Sequence, residues 1–273
     1  MTTMLEYEFM RTAFLAGGMV AIVGGAVGYF LVLRNLAFAG HALSHVGFAG
    51  ATGSVLLGLG PLWGLVAFTL AAAIAMGWLG ARLRSRDVAV GIILSLALGL
   101  GVLFLYLYST HATQATTILF GNVLGVGFDT LWALLGLSVV SLGALAFISR
   151  PLLFATLAPE LAEAKGVSLR LVSVLFLAVV AIAVAEAAQV VGVLLIFALM
   201  VGPAAASLRL TASVGRGIGL AVLLALGETW VGIALAYVTD WPASFWIVLS
   251  SCLVYFASAI KRPARQAERG HID

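Results

Sequence analysis

The chain has 273 residues, of which 63% are hydrophobic and only 9% charged, with a formal net charge of +3. Ordinary soluble domains carry about a quarter charged residues, and a mean hydropathy of +1.18 excludes a water-soluble globule, because no compact fold hides that much apolar surface. The apolar runs are about 20 residues long, the length that crosses a bilayer as a helix. They are not the short alternating segments of a barrel.

In chain order the runs predict spans at 10–33, 36–58, 61–81, 88–108, 129–149, 171–188, 190–208, 217–238 and 243–260. The N-terminus, with Glu6 and Glu8, lacks the basic start of a signal peptide, so no cleavage is expected. Gly24 and Gly28 have the spacing that lets helices approach closely, as do Gly121 and Gly125. The stretch 109–128, with His111, Gln114 and Asn122, is too polar for a span and reads as an outer loop or re-entrant turn. The sixth and seventh spans form one apolar stretch, with Glu186 and Gln189 near an expected turn, so the total is eight or nine.

Basic residues set the orientation. With Arg82, Arg84 and Arg86 inside, alternation also places Arg34, Arg150, Lys165, Arg170, Arg209, Arg216 and the tail from Lys261 to Arg269 inside. Only Arg11 of the 14 basic residues is left outside, as the positive-inside rule favours. The C-terminus is therefore expected in the cytoplasm. The net charge carries no implication of nucleic-acid binding. Cys252 is the single cysteine and cannot form a disulfide within the chain.

Within the second span, His41-Ala-Leu-Ser-His45 places two imidazoles on one helix face. Counted from Arg34 at about 1.5 Å per residue, His41 lies roughly 10 Å deep and His45 roughly 16 Å, near the midplane. Ionisable groups at that depth usually face a cavity or the bundle interior, and transporter sites cluster there. Three readings compete. The pair is bonded to carbonyls and serves packing; it ligates a divalent metal such as zinc; or it belongs to an intramembrane metalloenzyme. The last is opposed by Ala42, which stands where His-Glu-x-x-His places its general base. Glu186 and Glu228 are intramembrane acids. Either could approach the pair, with Glu228 the candidate third ligand, or each could help helices pack.

Neither lysine, Lys165 or Lys261, fits the Gly-Lys-Ser/Thr of a phosphate-binding loop. The chain is therefore expected to borrow an ATPase or to be a stand-alone carrier. Pro159-Glu-Leu-Ala-Glu-Ala-Lys-Gly166 predicts a short cytoplasmic helix with Pro159 at its first turn and Gly166 at its stop. Glu160 and Glu163 lie early and Lys165 late, complementing the dipole. Leu161 and Ala164 share a face.

Several of these stretches, in order, resemble motifs of one family. Arg34-Asn-Leu-Ala-Phe-Ala-Gly-His-Ala-Leu-Ser-His45 resembles a second-span motif reading G-D-A-L-S-H-A and then L-P-G. Asp87-Val-Ala-Val-Gly-Ile92, Leu119-Phe-Gly-Asn122, Pro159–Val167, Val190–Leu195 with Gly202-Pro-Ala204, and Asp240-Trp-Pro-Ala243 follow in family order. Together they resemble the permease subunits of bacterial zinc, manganese or iron ABC importers, the ABC-3 type. The resemblance implies an all-α, polytopic type II importer-like bundle over 1–262 with a coupling segment at about 156–168 and a cytoplasmic tail at 263–273. It implies a bacterial inner-membrane transport subunit that is not itself an enzyme and holds no tightly bound cofactor. Its partners would be a cytoplasmic ATPase, an external metal-binding protein and a second permease copy. His45 falls on the family histidine, whereas His41 stands where the family has aspartate and Ala49 where it has proline. Replacing a carboxylate by imidazole tilts the expected cargo from manganese toward zinc and should make binding more pH-dependent. Pro159, Glu160, Ala164 and Gly166 would face the ATPase. The competing transport reading is a permease for metal chelates such as siderophores or cobalamin, which has less use for a buried histidine pair.

Overall fold

A computed structural model of the chain describes residues 4–80, 86–107, 119–193 and 195–260. Arg82 and Arg84, the 109–118 part of the polar stretch, and the tail beyond Ile260 lie outside the described residues. Among those described, the chain is helical with no strand: α1 (Glu8–Leu33), α2 (Ala37–Leu56), α3 (Pro61–Gly80), α4 (Arg86–Leu107), α5 (Phe128–Leu157), α6 (Pro159–Ala164), α7 (Leu169–Val191), α8 (Ile196–Leu210), α9 (Val214–Thr239) and α10 (Ala243–Ile260). Every expected span overlaps a helix, the shortest being the 15-residue α8.

Seven of these helices, α1, α3, α4, α5, α7, α9 and α10, are long and apolar enough to cross a membrane. α2 falls outside that group because glycine, serine, threonine and histidine dilute its apolar residues, yet most of it is buried. It is shielded from lipid by its neighbours. α8 has 15 residues, about 22 Å of helix, too short to cross a bilayer of about 30 Å by itself.

Two expectations are corrected. Glu186 and Gln189 do not mark a turn, because α7 continues through both to Val191 and breaks at Gly192, whose φ is 87°. Alanines on both sides of Glu186 keep the helix going, and Gly192, at a positive φ that a side chain disfavours, ends it. The fifth span also runs eight residues past its expected end at 149, through Arg150 and Pro151, because a buried face continues through Leu152 and Ala155. α5 therefore carries the chain from the expected cytoplasmic surface directly into the short helix α6.

α1 and α7 form the interior. α1 packs on α9, α8, α5 and α7; α2, α3 and α4 pack together, with α3 and α2 also against α7; α8, α9 and α10 form the other flank. Lipid offers no hydrophobic reward for helix association, so contact depends on close packing and interhelical hydrogen bonds. Gly50 of α2 and Gly64 of α3 show the packing: a Cβ on either would run into the other's carbonyl oxygen. Gly24 and Gly28 likewise bring α1 against Met200 of α8, as their spacing predicts. Gly121 and Gly125 do not make a helix face, since they lie in an irregular turn and a 3-10 turn. Among the hydrogen bonds, Thr69 Oγ1 donates to Ala181 O at 3.2 Å and Ser251 Oγ to Ala198 O at 2.9 Å.

Candidate functional site

The α1–α2 turn starts the site. Arg34 caps α1, and Asn35 adopts the left-handed conformation with φ 55°. The Asn35 and Leu36 amides donate to Val32 O at 3.0 Å and Leu31 O at 2.9 Å, the pattern of a Schellman stop. Leu36 is buried, and α2 rises from it without a break.

His41 and His45, one helical turn apart on α2, meet edge to face with ring centroids 4.7 Å apart and planes at 87°. The ring of Phe197, in the first turn of α8, stands edge-on to His41 at 5.4 Å. Both histidines are half-buried. His41 Nδ1 is buried without a hydrogen-bond partner. The Ser44 hydroxyl donates to the His41 carbonyl at 2.7 Å, which anchors the backbone between the two rings and leaves both imidazoles unused by it. Two imidazoles directed from one face can share a small cation. Phe197 walls the pair on its α8 side, a contact between residues 156 positions apart that no spacing rule could reveal.

Among the described residues, no group of three or more His, Cys, Asp or Glu side chains gathers as a metal site. Glu228, the candidate third ligand, is buried on α9 beside Ser251 of α10. The Ser251 hydroxyl donates to Ala198 O at 2.9 Å and lies against the Glu228 carboxyl. Glu186 belongs to a different pairing: Ser138 Oγ of α5 donates to its Oε1, tying α5 to α7, while Oε2 has no partner. The structure thus brings the two histidines together and leaves both acids elsewhere in the bundle.

Toward the expected outer side, three of the motif stretches meet. Gly121 (φ 75°) and Gly192 (φ 87°) press backbone on backbone; a Cβ on Gly121 would stand 2.5 Å from the Gly192 nitrogen. Ser244, in the first turn of α10, donates to Phe120 O at 2.8 Å and Val191 O at 3.3 Å. The Leu119–Asn122 turn is thereby held into the break between α7 and α8, as a re-entrant turn would be. Sequence reasoning saw each stretch and not their convergence.

On the opposite side, α6 forms as its sequence predicts, with Pro159 at its first turn. Gly166 (φ 82°) and Val167 donate to Glu163 O and Ala162 O, each at 2.9 Å, which completes another Schellman stop. Ala162 is fully buried as the anchor, while Pro159, Glu160, Leu161, Ala164 and Gly166 are exposed. Leu161 is thus an exposed apolar side chain between the exposed acids Glu160 and Glu163.

Seven helices long and apolar enough to cross a membrane, packed into one bundle, define a multi-pass membrane protein. The chain belongs to the ABC 3 transport family, whose profile matches residues 6–262. It is 27% identical over 261 residues to the manganese transport system membrane protein MntC of Listeria monocytogenes, covering 95% of this chain and 93% of that one. To the manganese import system permease protein ScaB of Streptococcus gordonii it is 29% identical over 262 residues, covering 96% and 94%. Its fold matches a chain of the solved structure of PsaBC from Streptococcus pneumoniae in complex with Fab, with a TM-score of 0.83 and 28% identity over 93% of this chain and 92% of that one.

Proposed function

We propose that the chain is the permease subunit of an ATP-driven importer that carries a divalent transition metal inward across the bacterial cytoplasmic membrane. The observation that carries this reading is the His41–His45 pair, two imidazoles on one face of a largely buried helix, with His41 Nδ1 buried and without a hydrogen-bond partner. An external binding protein would release the ion to the outer mouth, and the pair would replace part of its water shell for a moment. A cytoplasmic ATPase, seated on the exposed face of Pro159–Gly166, would rock the bundle to open the inner side. A second copy of the chain would complete the pathway and supply the ligands that a single copy lacks. Glu228 receives no ligand role in this arrangement, because it is not gathered with the histidines.

The relatives' names favour manganese as cargo. The donor set supports a second reading, zinc, because two neutral nitrogens suit zinc better than the harder manganese ion. Cells lacking their own manganese and zinc importers, supplied with this chain, its ATPase and its binding protein, test both readings. Energy-dependent accumulation of manganese is expected, and competition by excess zinc ranks the two. No accumulation of either metal with all components present would sink the proposal.

A further inference from the structure

Arg34 stands at the α1–α2 turn, seven positions before His41, and its side chain reaches into two other helices. Its Nη1 donates to Thr156 Oγ1 at 2.9 Å and to Leu152 O at 3.4 Å, and its Nη2 donates to Ser173 Oγ at 3.1 Å. The guanidinium carbon lies 5.8 Å from the centroid of the buried Phe176 ring. Leu152 and Thr156 belong to the last turns of α5, immediately before α6; Ser173 and Phe176 belong to the first turns of α7, immediately after it. One guanidinium therefore straddles both legs of the hairpin that carries α6.

We propose that Arg34 is a positioning residue that transmits movement of the α6 hairpin to α2 and so to the histidine pair, an inference that rests on the transport reading above. α2 is continuous from Ala37, so a displacement at the turn moves His41 and His45 as one body, roughly 10 Å away along the helix. On another side of the turn the packing is open. A cavity of about 400 Å3 opens there, lined by Val32, Leu33, Asn35, Leu157, Leu208 and Thr211 among others. The polar bridge spans the hairpin legs and the turn, so movement of the hairpin reaches α2 through it. A planar fork suits this role, since it serves acceptors on two helices at once; a lysine ammonium is a single point on a flexible stem.

The test reconstitutes the full chain with its ATPase and binding protein in liposomes and measures manganese moved per ATP hydrolysed. For Arg34→Met the ratio should fall about ten-fold while ATP hydrolysis stays within about two-fold of wild type. Arg34→Lys should retain an intermediate ratio. The double substitution Thr156→Ala with Ser173→Ala, which keeps the arginine and removes its side-chain acceptors, should lower the ratio as well, and it decides the matter should Arg34→Met fail to assemble. An unchanged ratio, even with a lower melting temperature, would make Arg34 a merely structural brace and overturn the proposal. Failure of the wild-type assembly to move manganese or zinc would strike the transport reading itself, and this one with it.

Discussion

His41 and His45 face each other across one turn of α2, ring centroids 4.7 Å apart, with Phe197 of α8 closing one side. Each ring alone is a weak perch for a cation; side by side they offer two nitrogen donors without adding formal charge to the membrane interior. Replacing His45 by alanine should therefore lower metal accumulation by at least about ten-fold, since even supporting residues of metal sites cost that much. Assembly and membrane insertion should persist, because His45 makes no hydrogen bond that holds α2 to its neighbours. Uptake at the wild-type rate by this variant would remove the ligand role.

His41→Asp restores the carboxylate that the family motif has at this position. A hard oxygen donor should shift selectivity toward manganese and away from zinc. Competition between the two metals in whole-cell uptake reads this directly. A shift toward zinc would contradict the ligand assignment of His41, whatever happens to total uptake.

The outer clasp supplies a stability prediction. Gly121→Ala places a Cβ against Gly192 and Val191 backbone atoms and also forces a left-handed φ on alanine. Both effects oppose folding, and the loss should exceed about 2 kcal/mol. Gly166→Ala shares the positive φ but meets nothing within 4 Å, so it should cost only about 1–2 kcal/mol, and locally. Thermal unfolding of the detergent-solubilised protein should rank the two variants in that order.

Gly166→Ala has a second expected consequence. The Schellman stop orients the exposed face of α6, so loosening it, together with Glu160→Ala, should weaken co-purification with the ATPase while leaving the permease in the membrane. Equal recovery of the ATPase with wild type and variant would argue that α6 is not the docking element.

Ser138→Ala isolates the α5–α7 tie. It removes the donor to Glu186 Oε1 and leaves a fully buried carboxyl with neither oxygen bonded. A buried polar group stripped of its partner costs about 1–3 kcal/mol. The melting temperature should drop, while the relative preference for manganese over zinc stays as in wild type, because Glu186 is not gathered with the histidines. An altered metal preference would show that Glu186 belongs to the pathway after all.

Much of this molecule was readable from neighbouring residues alone. The apolar runs place the long helices, because the bilayer sets one length for every crossing. The His41–His45 pair follows from the helical repeat, and the Pro159–Gly166 helix follows from residues that start and stop a helix within one short segment. Local rules failed where a competing local signal was stronger: the alanine-rich surroundings of Glu186 outweighed its charge, and Gly192 alone ended α7. They failed again at Gly121 and Gly125, whose spacing fits a packing face that the backbone never forms.

What the sequence determined by itself is therefore the solvent, the helical repertoire and the two short elements with self-contained signals, since all of these depend on composition or on residues within about a turn of one another. The tertiary structure decided which distant groups meet. Glu228 lies beside Ser251; Gly121 lies against Gly192; Arg34 bridges Thr156 and Ser173. The physical reason is that helices in lipid associate through close packing and scattered hydrogen bonds, and these depend on the shapes of complete helix faces. No motif of a few residues encodes such a face.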